Sequence, residues 1–187
     1  EIRRFDGRIR WVTGPNRGGC AARNAGVEMS SGTYLQFLDA DDILPPDKIA
    51  RQLATLRNAP EDSIALCPWQ FLHDDGRLDA PDPRPFWKSY DTGIDLLLEL
   101  WLHGGFFPTH PWLVPRALAK ASGPWNERLS ADQDGEYFGR ILTRSGPVLL
   151  CADTSVHYRR PPDGAVSRDK SSNACESRMR AFEVVAE

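Results

Sequence analysis

Three carboxylates set directly behind an apolar run constrain this chain more than any other feature. Thr33-Tyr34-Leu35-Gln36-Phe37-Leu38 has the length and content of a buried strand, and it runs straight into Asp39-Ala40-Asp41-Asp42. Such an ending gathers like charges at one edge of a sheet, where they repel unless a cation or water screens them. An oxygen-only donor set favours a hard divalent ion, Mg2+ or Mn2+. A solvated acidic turn that caps the next helix is the alternative, because Asp is common at helix N-caps. A calcium-loop reading fails: Ile43 and Leu44 stand where that loop needs an oxygen ligand and a glycine.

The surrounding pattern predicts an α/β domain. Strands are expected at 8–12, 33–38, 63–72 and 148–158, with an extended stretch at 106–114. Helices are expected from Gly18-Gly19 to about Met29, then at 47–57, 91–103 and 131–145, and from about Lys170 onward. Ile49, Leu53 and Leu56 mark the predicted apolar face of the 47–57 helix. His73-Asp74-Asp75-Gly76 reads as a hairpin turn, and the proline-rich stretch 79–88 as a surface loop. Strands alternating with helices imply a mostly parallel or mixed sheet. With 187 residues, 41% of them hydrophobic, the chain can build one well-cored domain, predicted at 1–169, with a C-terminal helix at 170–187.

Charge and cysteine content exclude several classes. A net charge of −3 without a long basic run argues against a nucleic-acid partner. Cys20, Cys67, Cys151 and Cys175 have no zinc-site spacing and read as ordinary thiols of a reducing compartment. The expected location is the cytoplasm, or the periphery of the inner membrane face. The longest apolar stretch, at 96–102, is interrupted by Glu99 and too short to cross a bilayer.

Two further constellations carry chemistry. Ser130 and Gln133 have the spacing of a capping box, which would start a helix and leave Asp134 in its first turn. Asp134, Tyr137, Phe138, Ile141 and Leu142 then share one face, so a carboxylate extends an apolar stripe. Such an Asp is either a general base or a partner of the helix dipole. Upstream, Asn16-Arg17-Gly18-Gly19-Cys20-Ala21-Ala22-Arg23-Asn24 places glycines before a helix and an arginine one turn in. That suits a diphosphate, although a glycine pair before a helix is also an ordinary turn.

In order and spacing these pieces resemble the family 2 glycosyltransferases of the GT-A fold. The likeness runs through Asn16-x-Gly18, Arg23-Asn24-x-Gly26, Gly32-x-Tyr34-Leu35-x-Phe37-Leu38-Asp39-Ala40-Asp41-Asp42, the segment Gly123-Pro124-Trp125-Asn126-Glu127-Arg128-Leu129, and Gln133-Asp134 with Arg140. It implies a mixed central sheet flanked by helices, and inverting transfer of a sugar from a UDP- or GDP-linked donor to a carbohydrate or lipid-linked acceptor. It also implies residue roles. Asp41 would bind Mn2+ or Mg2+, and Asp39 would contact the ribose or the metal. Asn16, Gly18 and Arg23 would line the donor site, and Asp134 would be the base. His157-Tyr158-Arg159 resembles a late segment that sends a residue towards the metal or diphosphate, which makes His157 a further candidate ligand. Gln133 replaces the glutamate that usually precedes the base. Trp69, Trp87, Trp112 and Trp125 are either sugar-stacking platforms or core.

The family's opening strand–helix–strand, which grips the nucleotide base, has no counterpart here, and 8–12 aligns with the strand after it. The expectation is therefore an N-terminally truncated domain with an exposed sheet edge open to self-association. A non-catalytic remnant acting as a binding or assembly module is the alternative function, and a metal-dependent sugar-nucleotide hydrolase is a third.

Overall fold

Parallel strand pairs joined by long helical crossovers organise the chain, as alternating strand and helix patterns require. The computed structural model describes residues 9–160 and 170–186. In chain order the elements are α1 (Gly19–Met29), β1 (Tyr34–Leu35), α2 (Lys48–Leu56), β2 (Ile64–Leu66), β3 (Trp69–Leu72) and α3 (Gly93–His103). They continue with β4 (Val114–Pro115), α4 (Arg116–Ala121), α5 (Gln133–Leu142), β5 (Val148–Leu150), β6 (Val156–Arg159) and α6 (Ser172–Ala186).

β2 runs parallel to β5, with Ile64 opposite Val148, and β3 runs parallel to β6, with Trp69 opposite Val156. β1 is antiparallel to β4, and a bridge between Ala65 and Leu113 ties that pair to β2. The arrangement is mixed, as the sequence pattern predicts. The predicted 63–72 strand is two strands because Pro68 has no N–H to give the ladder; its carbonyl instead accepts from Val156 N at 3.0 Å. Among the described residues the second edge of β1 has no strand partner, and β1 lines a cleft of about 580 Å3 beside α1.

Several expectations need correction. Residues 9–12 form no strand, and Trp11 and Val12 are exposed; residue 8 and the predicted domain boundary at 169 lie outside the described residues. Of the predicted extended stretch 106–114, only Leu113, in a bridge, and Val114, in β4, pair with another segment, and α4 was not foreseen. The buried face of α2 is rotated from the apolar one: Lys48 and Gln52 are buried together with Leu56, whereas Ile49 and Leu53 are 41% and 40% exposed. Polar bonding decides this orientation. Gln52 Nε2 donates to Pro111 O at 2.8 Å, and Lys48 Nζ donates to Gln36 Oε1 and, at 3.4 Å, to Trp112 O. These carbonyls belong to a buried irregular segment and have no ladder to satisfy them.

The core is aromatic where it meets α5. Trp125 stacks on Tyr137 with ring centres 4.0 Å apart, Trp112 stacks on Phe138 at 4.4 Å, and Phe37 meets Trp125 edge-on at 5.1 Å. Trp69, Trp112 and Trp125 are therefore packing residues, each at most 4% exposed.

Candidate active site

The predicted 33–38 strand shortens to β1, and the turn beyond it fans the three carboxylates into different surroundings, which relieves their repulsion without a common ligand. Asp39 turns towards α1, where its Oδ1 accepts from Arg23 Nη2 at 2.7 Å and its Oδ2 accepts from Thr109 Oγ1 at 3.2 Å. Asp42 is buried. Its Oδ1 accepts from the backbone N of Arg159 at 2.8 Å, and its Oδ2 lies 3.0 Å from Nδ1 of the fully buried His110. Asp41 is exposed, and its backbone carbonyl accepts from Arg159 Nε at 3.0 Å. The end of β6 thus clamps the acidic turn by its backbone and leaves the Asp41 carboxylate facing outward.

Arg23 is the hinge of the site. Besides Asp39, its guanidinium donates from Nη1 to Gln133 Oε1 at 3.3 Å and lies 4.6 Å from the centre of the Trp125 ring. The next residue, Asn24, fixes that geometry. Its side chain accepts from Trp125 N at 2.8 Å and donates to Trp125 O at 3.0 Å. Gly19 leaves room for the bridge, since a Cβ there would stand 3.2 Å from Arg23 Nη1 and 3.4 Å from Gln133 Oε1. At the start of α1, Asn16 Oδ1 accepts from Gly18 N at 3.0 Å, and Gly18 takes φ +87°, which a side chain rarely permits.

The predicted capping box at Ser130 does not form. Asp132 stands at the N-cap of α5 with φ +57° and makes no side-chain cap, while Gln133 Nε2 donates to Leu129 O at 2.8 Å. A residue from α6 instead holds the turn before α5: Ser177 Oγ accepts from both Ser130 N and Ala131 N at 3.0 Å. Asp134 sits in the first turn, half-buried. Burial, reinforced by the charge of Asp132, pushes its carboxyl up to about 6. Two turns of α5 are braced by Arg140, which grips both oxygens of the buried Glu136, at 2.7 and 2.9 Å, and donates to Pro124 O at 2.8 Å.

Arg23 therefore brings Asp39 and the Gln133-Asp134 turn together. His157 lies at the edge of this group, with an antiparallel backbone bridge to Ile43; burial and the neighbouring His110 hold its imidazole below the usual histidine range. Among the described residues no three His, Cys, Asp or Glu side chains are arranged to hold a metal. One exposed carboxylate beside a second, already engaged one fits an ion that takes most of its ligands from water and a bound diphosphate, as Mg2+ commonly does. Sequence reasoning did not find Thr109, His110 or the two contacts of Arg159. Only the Thr109-His110 pair in an otherwise apolar stretch, 106–114, hinted at them.

The architecture is that of the GT-A glycosyltransferases. S. aureus TarS 1–349 in complex with UDP-GlcNAc superposes with a TM-score of 0.75 at 16% identity, covering 99% of this chain and 52% of that one. GalNAc-T7 with UDP, GalNAc and Mn2+ superposes with a TM-score of 0.65 at 15% identity, covering 98% of this chain and 38% of that one. These likenesses carry the fold. Glycosyl transferase family 2 matches residues 1–123, and the chain belongs to that family. An uncharacterised glycosyltransferase of Methanocaldococcus jannaschii is 23% identical over 172 residues, which cover 91% of this chain and 57% of the relative. One of Rickettsia typhi is 28% identical over 130 residues, which cover 67% of this chain and 39% of the relative. The chain thus spans about half the length, or less, of the relatives it matches. No described helix is long and apolar enough to cross a membrane.

Proposed function

We propose that this domain belongs to an inverting, divalent-metal-dependent transferase that moves a sugar from a nucleoside diphosphate, UDP or GDP, to an acceptor hydroxyl. One observation carries the reading: Arg23 bridges Asp39 and Gln133, 110 positions further along the chain, and so holds the acidic turn next to Asp134.

In this reading Arg23 and the start of α1, with Asn16 and Gly18, receive the diphosphate. Arg23 offers a planar fork of donors, and the glycine leaves the backbone open to close approach. Asp41 would hold the metal ion, with Asp39 beside it against the ribose or the metal. The ion supplies positive charge to the leaving diphosphate. Asp134 takes the proton of the acceptor hydroxyl as its oxygen bonds to the anomeric carbon and the bond from that carbon to the diphosphate breaks. Attack from the face opposite the leaving group inverts the configuration. A carboxyl at about 6 is ionised near neutral pH and is a stronger base than an ordinary aspartate. Gln133, hydrogen-bonded to Arg23 and to Leu129 O, fixes the turn that presents Asp134.

The test is transfer by the full-length protein from UDP- and GDP-sugars, with Mn2+ and with EDTA, for the parent and for Asp134→Asn. Product formation lost in Asp134→Asn and with EDTA supports the reading. Undiminished transfer by Asp134→Asn would remove the base assignment, and release of free sugar without acceptor would mean hydrolysis.

A further inference from the structure

Against Asp134 a cavity of about 140 Å3, not lined by Arg23, opens between α3, α5 and α6. Protein interiors rarely leave a void much larger than one water. This void is comparable to one that accommodates benzene, roughly 150 Å3. Its walls are apolar and rigid: Leu97, Phe107, Trp112, Phe138, Leu142 and Val185 are each at most 8% exposed. Its mouth is apolar as well. Trp101, Phe106 and Phe182 also line it yet are 42%, 47% and 52% exposed, and the Trp101 and Phe182 rings lie 5.7 Å apart.

Two glycines of α5 let the neighbouring wall residues pack directly on the helix backbone. A Cβ on Gly139 would stand 2.8 Å from Val185 Cγ2, and one on Gly135 would stand 2.4 Å from Asp132 Oδ1. The polar groups are few and of one kind. Asp132, Asp134 and Glu136 line one end, and Glu136 is already neutralised by Arg140. Trp112 adds a single donor, because its buried Nε1–H has no hydrogen-bond partner among the described residues.

We propose that this cavity is the aglycone pocket of the acceptor. It takes an uncharged aromatic group carried next to the reacting hydroxyl, with that hydroxyl delivered to Asp134. The inference rests on Asp134 as the base. The size of the void sets the limit at about one ring, and the exposed aromatic mouth supports any part that extends beyond it. Trp112 Nε1–H is available to an ether or hydroxyl oxygen of such a group. The carboxylates at the other end repel a phosphate, so an acceptor phosphorylated beside the reacting hydroxyl does not fit.

The experiment is titration of the full chain with phenyl β-D-glucopyranoside, methyl β-D-glucopyranoside and phenyl phosphate. It is followed by the fluorescence of Trp101 and Trp112 and, in parallel, by saturation-transfer NMR. The phenyl glycoside is expected to bind at least tenfold more tightly than either of the others. Phe182→Ala, at the exposed mouth, should weaken it several-fold, and Val185→Phe, which fills the void, should abolish the preference. Val185→Phe is compared only if its melting temperature stays near the parent's; Phe182→Ala and the ligand series stand without it. Equal binding of the phenyl and methyl glycosides, phenyl phosphate binding as tightly as the phenyl glycoside, or an unaffected Phe182→Ala would each overturn the pocket. Asp134→Asn separates the two ideas. Phenyl glycoside binding preserved with transfer lost supports both, whereas binding preserved with transfer intact removes the base and leaves the pocket standing.

Discussion

Arg23 Nη2 lies 2.7 Å from Asp39 Oδ1, and the same guanidinium reaches Gln133 at 3.3 Å. A guanidinium presents several donors in fixed directions and can hold two partners at once, which an ammonium on a flexible stem does poorly. Arg23→Lys should therefore keep the charge and lose the bridge. Losing a charged hydrogen bond of about 1.5–3 kcal/mol corresponds to roughly a 10- to 100-fold fall in kcat/KM for the donor. Steady-state kinetics with varied donor will show it, and an unchanged kcat/KM would mean that charge alone suffices.

Asp134 links activity to stability. Its folded pKa of about 6 exceeds the ordinary value of 3.8, so between those two values the folded state binds more protons than the unfolded one. Stability from this group is lost as pH rises through that window, and at neutral pH the ionised carboxylate is a net burden. Asp134→Asn should melt at a higher temperature than the parent at pH 7.5, with the gap closing below pH 4. The same variant should lose roughly 100- to 10,000-fold in transfer rate, the usual contribution of a general base. In the parent, kcat/KM should fall about tenfold per unit below pH 6 as the base takes up its proton.

His110 and Asp42 form a contact with both side chains almost wholly buried, 0% and 1% exposed. Removing the imidazole leaves Asp42 Oδ2 buried with only the Arg159 N–H on its other oxygen, at a desolvation cost of about 1–3 kcal/mol. His110→Ala should accordingly shift the urea midpoint strongly at constant slope. A shift under about 1 kcal/mol would show that Asp42 is adequately held by Arg159 N–H alone.

Lys48 carries a second pH signature, of the opposite sign. Burial lowers its amine to about 8 from 10.5, so between those values the unfolded chain binds more protons than the folded one. Its contribution makes the protein more stable as pH rises from 8 to 10.5. Lys48→Met should flatten this rise. The buried thiol of Cys67, pushed up to about 12, opposes it in both proteins, so the readout is the difference between the two urea midpoints at pH 7.5 and pH 10.

Helical content was largely legible because hydrophobic spacing and glycine punctuation are local signals. α1 ends at Met29 and α3 at His103, as the pattern implies. α2 was located, and Leu56 of its apolar face is buried, but the helix is rotated so that Ile49 and Leu53 are exposed. Reading Ile49 and Leu53 as its core face ignored the carbonyls of Pro111 and Trp112, 59 and 64 positions away from the side chains that bond them. The capping box failed for the same reason: the serine that binds the turn before α5 is Ser177, 46 positions beyond Ala131. At the site, Arg23, Asp39 and Asp134 were recognisable as motif residues. The partners that hold the acidic turn in place come from irregular segments or from a strand end, and no local periodicity marks them.

The grip of Arg159 on the acidic turn reaches far along the chain, with 117 positions separating its N–H from Asp42. β2 and β3 likewise find their parallel partners only in β5 and β6, far along the chain. During synthesis, every residue of the acidic turn emerges long before the strand that restrains it. Until β6 docks, Asp39, Asp41 and Asp42 repel one another on an unclosed loop, and closing loops this long is intrinsically slow. The order of synthesis therefore runs against the order of stabilisation, so the site becomes competent last, in one late step, when the end of β6 arrives.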